Sequence, residues 1–221
     1  MRKFIPDAAE PWIVLLVIVG VFLGSWVLNI QDPGSELIAL DNREALTTLG
    51  IEGVFALVFV PWLWWRGWRM PMLTADSGPL DVPRGIILWL LAYLALGLVF
   101  GAVSLFEKSL AEPTVKVQLS DFVMIAVSIL NAVFEELLWL AYGVTALARR
   151  IGLRRACIAS VVLRTSVHAY EGPLAVLGVL PIGIVFTWYY ARTRRVWPVI
   201  VAHALQDAIA FVYLRGLSEH R

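Results

Sequence analysis

An all-α bundle of about seven membrane-spanning helices is the fold this sequence predicts. Of its 221 residues, 60% are apolar and only 16% charged, and the mean hydropathy is +0.78. The apolar residues gather into runs close to the roughly 20 residues that a bilayer core demands of a helix. Ten Trp and sixteen Gly suit such a bundle, because Trp collects at membrane interfaces and Gly permits close helix approach. This composition argues against a soluble domain. The charge balance, 18 Lys+Arg against 17 Asp+Glu, lacks the basic surplus that phosphate neutralisation calls for, so nucleic acid is not an expected partner. The single cysteine, Cys157, cannot close an intrachain disulfide and fits no zinc or redox spacing, which leaves it as a small packing residue.

The seven runs cover residues 11–30, 45–65, 84–104, 121–148, 152–169, 172–191 and 196–215. Arg2 and Lys3 precede the first, as in a secretory signal. The stretch from Trp12 to Leu28 is nevertheless long and bulky, and no small-x-small cleavage site follows it, so it reads as a retained helix. The second run ends among Trp62, Trp64, Trp65 and Trp68 beside Arg66 and Arg69, which reads as an interfacial anchor. Breakers separate the runs: Gln31-Asp32-Pro33-Gly34, Asp76-Ser77-Gly78-Pro79 with Pro83, and Glu171-Gly172-Pro173. Gly20-x-x-x-Gly24 and Gly97-x-x-x-Gly101 have a spacing that permits tight helix crossing inside the bundle, and Pro181 interrupts the sixth run. No repeat or second domain is evident, so residues 1–221 read as a single membrane domain with its catalytic core at about 121–215. The N-terminus and the second, fourth and sixth connections hold twelve Lys and Arg, the opposite side five, and Arg164 lies within the fifth run. That asymmetry predicts a cytoplasmic N-terminus.

A charge at the bilayer centre costs on the order of 2.5–3.5 kcal/mol even on the lenient insertion scale, so each one is a candidate site residue. The candidates are Glu52, Glu135 and Glu136, Arg164 and His168, and His203 with Asp207. At a rise of about 1.5 Å per residue, Glu135 and His168 lie roughly 20 Å, His203 roughly 12 Å and Asp207 roughly 18 Å from the ends of their helices on the basic side. Three helices thus place carboxylates and imidazoles in one depth layer. His203 and Asp207, like Arg164 and His168, are four residues apart and share a helix face. Glu135 and Glu136 are adjacent and about 100° apart around the helix, so one is expected to face the site and the other a structural partner. Glu52, between Gly50 and Gly53, has no nameable partner. Asn131, one turn before Glu135, suits a helix–helix hydrogen bond or a carboxylate contact. Tyr170-Glu171 reads as a turn and His220 as tail. No Gly-x-Ser-x-Gly elbow exists, and Ser166 lies on the face opposite His168.

At these residues the sequence resembles the family of CAAX prenyl endopeptidases and bacteriocin-processing membrane proteases, the CPBP or ABI family. That family has a Glu-Glu pair followed by x-x-x-Arg, then an aromatic-x-x-x-His motif, then a His-x-x-x-Asn/Asp motif, each on a membrane helix. Here Glu135-Glu136, then Arg164-Thr-Ser-Val-His168, then His203-Ala-Leu-Gln-Asp207 occupy those places in order. Two positions depart: the family Arg is Leu140 and the family aromatic is Arg164. Either Arg164 supplies the cation that Leu140 lacks, pairing with Glu136 across the helix interface, or activity has decayed.

The resemblance implies an intramembrane endopeptidase acting on a membrane-associated protein or peptide, expected in the bacterial inner membrane. Glu135 and His168 would hold and activate a water, while His203 and Asp207 would stabilise the oxyanion. If a metal such as zinc were used, its ligands would be His168, His203 and Asp207; a metal-free, glutamate-based reaction is the other form the resemblance allows. Two rival readings are a non-catalytic scaffold or immunity protein of the same fold and a proton-coupled transporter, since midplane Glu, His and Asp also describe a proton relay.

Overall fold

The structure, a computed structural model, describes residues 9–29, 38–69, 77–105, 115–169 and 173–219. Seven helical rods account for the seven apolar runs: α1 Glu10–Asn29, α2 Asn42–Trp65, α3 Asp81–Ser104, α4 Asp121–Ile151, α5 Leu153–Val167, α6 Pro173–Thr193 and α7 Trp197–Glu219. The polar ends explain why α2 and α3 begin a few residues before their apolar runs. Asp41 accepts the Glu44 N–H at 2.8 Å and so caps α2, while Asp81 opens α3 and accepts the Gly78 N–H at 2.8 Å. The helices α2, α3, α4, α6 and α7 are long and apolar enough to cross a membrane. By contrast α5, with 15 residues, reaches only about 22 Å at 1.5 Å per residue, short of a bilayer core. Helix α6 continues through the buried Pro181.

Helix α7 packs against α3 and α4; α5 packs against α1, α4 and α6; α2 leans on α4. One large core runs through these contacts, with Trp68, Trp139, Tyr142 and Phe186 its largest fully buried side chains. Helix α4 is its spine and is not uniform. Residues Leu137–Val144 form a π-helical segment between α-helical turns, a feature frequent at functional sites. Gly143 sits closely within it: a Cβ there would stand 3.0 Å from the Leu138 carbonyl oxygen and 3.4 Å from Leu15 of α1. Ser160 of α5 donates to the Trp139 carbonyl at 2.9 Å, and Gly152, at φ 81° in a region that disfavours other residues, turns the chain from α4 into α5.

Two expectations are corrected, and one feature is added. Three of the four Gly-x-x-x-Gly residues do not mark tight crossings: among the described residues a Cβ on Gly20, Gly97 or Gly101 meets nothing within 4 Å, whereas at Gly85 it would stand 2.6 Å from Val201 of α7. The spacing only makes close approach possible; which face meets a neighbour depends on the other helices. The tryptophan cluster divides. Trp64 and Trp65 are exposed as an anchor should be, but Trp68 is fully buried, packed edge-on against Tyr142 with the Arg149 guanidinium over its ring. The connections also carry β-structure: β1 Ile38–Asp41 pairs in parallel with β2 Val115–Gln118, over a small core of Ala45, Val117, Leu119 and Val123. The turn Gln31–Gly34, together with Tyr170, Glu171 and His220, lies outside the described residues.

The Gly85 contact leaves no room for a side chain, and overpacking of this kind costs about 1–3 kcal/mol. Gly85→Val is expected to lower the melting temperature of the detergent-solubilised protein by several degrees, while Gly97→Ala leaves it within a degree or raises it.

Candidate active site

The site forms where α4, α5 and α7 meet. Glu135 and Glu136 end the regular α-helical part of α4, just before the π-helical segment. Arg164 lies in the last turn of α5, and His203 and Asp207 lie one turn apart on α7. Glu136, Arg164 and His203 are buried, the first completely. Arg164 forks onto Glu136: Nη1 donates to Oε2 at 3.2 Å and Nη2 makes a close contact with Oε1. The same Nη2 lies 3.4 Å from Glu135 Oε2 and 3.2 Å from His203 Nδ1. His203 Nδ1 is 2.7 Å from Glu136 Oε1 and His203 Nε2 is 3.5 Å from Asp207 Oδ1. Asn131, also on α4, donates to Asp207 Oδ2 at 3.3 Å. The guanidinium further lies over the Phe186 ring, 5.8 Å from its centroid.

Five of the charged residues singled out in the sequence, Glu135, Glu136, Arg164, His203 and Asp207, therefore form one contact network. Arg164 reaches Glu136 across the interface between α4 and α5, so the missing cation at Leu140 has a spatial replacement. Leu140 itself is fully buried in the apolar core. A residue four after Glu136 would sit one turn above it on a regular helix, but the π-helical segment starts at Leu137 and breaks that register. The adjacent glutamates both reach the same guanidinium nitrogen, because a long Arg side chain enters between them. They still differ in commitment. Glu136 is held by three contacts from two helices, whereas Glu135, at 9% exposure, has among the described residues only the Arg164 hydrogen bond at 3.4 Å.

His168 stands half-buried where α5 ends, one turn beyond Arg164. Among the described residues, no group of three or more His, Cys, Asp and Glu side chains is arranged to hold a metal ion, so the set His168, His203 and Asp207 is not gathered as a metal site. Glu52 of α2 is buried, and both its carboxyl oxygens lack a hydrogen-bond partner among the described residues. It also lines a cavity of about 310 Å³ between α2 and α4. The lone intramembrane Glu was visible in the sequence; its cavity was not, because the α2–α4 contact depends on tertiary packing.

Fold and site together define a helical membrane protein with a buried carboxylate, guanidinium and imidazole network drawn from three helices. Residues 118–209 match the family model described as type II CAAX prenyl endopeptidase Rce1-like, so this part of the chain is similar to the membrane proteases of the CPBP family. The matched stretch contains all three motifs and leaves α1 to α3 outside it. Neither the curated proteins nor the solved structures yield a match.

Removing one partner of a buried ion pair strands the other, at a cost of about 3–5 kcal/mol, whereas replacing both by apolar groups is often near neutral. Arg164→Leu is therefore expected to destabilise the protein strongly. Adding Glu136→Leu should recover at least half of the loss, read as a positive coupling in a double-mutant cycle of melting temperatures.

Proposed function

We propose that the protein is an intramembrane endopeptidase that hydrolyses a peptide bond of a membrane-associated protein or peptide with a water activated by Glu135. The observation that carries this reading is the unequal commitment of the two glutamates. Glu136 is used up by Arg164 and His203, while Glu135, beside the same cation, keeps most of its capacity to accept a proton. A general base must lie within hydrogen-bond reach of the proton it takes, and Glu135 is the carboxylate with an oxygen to spare.

In the proposed reaction Glu135 and His168 hold the water. Glu135 takes its proton as the oxygen attacks the substrate carbonyl carbon and the carbonyl π-electrons move onto oxygen. Arg164 and His203 supply the positive field for that developing charge, in a site where low dielectric strengthens electrostatic stabilisation. Glu135 then returns the proton to the amide nitrogen as the C–N bond breaks, leaving a carboxylic acid and an amine. Asp207, held by Asn131, acts through His203 by fixing the orientation of its ring. The twelve Lys and Arg counted on the N-terminal side support a cytoplasmic N-terminus.

The test compares protein termini by mass spectrometry in cells carrying wild type, Glu135→Ala or His168→Ala at equal, folded levels. Loss of a positioned general base lowers rates about 10²–10⁴-fold, so specific cleaved ends present in wild type should vanish in both variants. Identical termini in all three strains contradict hydrolysis and favour a transporter or scaffold.

A further inference from the structure

Among the described residues Glu52 makes no hydrogen bond to the network described above, yet its position is not that of a packing residue. It is 4% exposed, and neither carboxyl oxygen has a hydrogen-bond partner among the described residues. It lies thirteen residues from Trp65, about 20 Å along α2 from the interfacial end. A buried carboxyl without a partner is costly, and such groups persist where a ligand supplies the missing contact. Glu52 lines the cavity between α2 and α4. The remaining walls are largely apolar, with Ala56, Phe59 and Leu63 from α2 and Val133 and Phe134 from α4 among them. The volume of about 310 Å³ falls at the lower end of ligand pockets, roughly 300–1,000 Å³.

We propose that this cavity receives an apolar segment of the substrate peptide and that Glu52 selects a segment carrying a Lys or Arg side chain, which it binds as an ion pair. The proposal rests on the hydrolysis reading and names its substrate class. Charge complementarity carries it. The walls favour an apolar chain, but an isoprenoid or aliphatic group alone would leave both Glu52 oxygens without a partner. A basic side chain at this depth is equally costly without a counter-charge, so each group offsets the desolvation of the other. Peptides lacking the base are then rejected by the stranded carboxyl, a case of specificity by penalty.

The experiment measures binding of three synthetic apolar peptides to the full-length protein in nanodiscs. The peptides are identical except for a central Lys, Gln or Leu, and a fourth carries geranylgeranylated Cys there. Their cleavage is followed in the same samples. Wild type should bind the Lys peptide at least tenfold more tightly than the other three. Glu52→Leu should erase or reverse that preference, Glu52→Gln should reduce it, and Ala56→Trp, which fills the cavity, should abolish binding of all four. Equal affinities in wild type, absence of binding by every peptide, or a preference unchanged in Glu52→Leu each overturn the proposal. A Glu52-dependent Lys preference without cleavage of any peptide supports this binding site and counts against hydrolysis, which keeps the two failures distinct.

Discussion

The site depends on one buried ion pair. Glu136 is completely buried and Arg164 nearly so, and either alone in the membrane core would be a heavy cost. Together they fix the separation of α4 and α5, because a forked guanidinium accepts few orientations of a carboxylate. His203 adds the third helix by placing Nδ1 2.7 Å from Glu136. Three helices are thus locked at one depth by contacts that lose most of their value if any of them slides by a turn. Glu135 gains its position from this lock and spends little of its own hydrogen-bonding capacity on it.

A second buried network braces the basic end of the molecule. Glu10 of α1 pairs with Arg66 beyond the end of α2 at 2.7 Å and accepts from the Tyr142 hydroxyl at 3.2 Å. The two networks share α4. Glu136 immediately precedes the π-helical segment and Tyr142 lies within it, so the altered register presents the glutamate to α5 and α7 and the tyrosine to α1. Asp81 and Arg195, 3.0 Å apart, join the start of α3 to the connection between α6 and α7. Shape and charge are therefore coupled: the short α5 lies within the bundle against α1, α4 and α6, where Arg164 can be enclosed.

Much of this was legible in the sequence because the bilayer leaves few options. Runs of apolar residues must become helices, and their limits emerged within a few residues, with errors at polar caps such as Asp41 and Asp81 that apolarity does not register. Charges with no place in lipid pointed to α4, α5 and α7, and the absence of an Arg at residue 140 pointed to Arg164. Other features depend on packing and left no periodic trace. The π-helical segment Leu137–Val144 has the composition of an ordinary apolar helix. Trp68 looks like its neighbours Trp64 and Trp65 in sequence and differs only because Tyr142 and Arg149 cover it. Gly85 carries no paired glycine to mark the crossing with Val201. The four-residue strands β1 and β2 are too short to show an alternating pattern.

In the proposed reaction the neighbouring glutamates divide the work, Glu136 holding the helices and Glu135 handling the proton. Melting temperature and cleavage rate, measured side by side on purified Glu135→Gln and Glu136→Gln proteins with one peptide that the wild type cleaves, test that division most directly. If the division holds, Glu135→Gln melts within a few degrees of wild type while its rate falls at least a hundredfold, and Glu136→Gln melts markedly lower. The opposite pattern, with Glu135→Gln unstable or active and Glu136→Gln stable but inert, would contradict it.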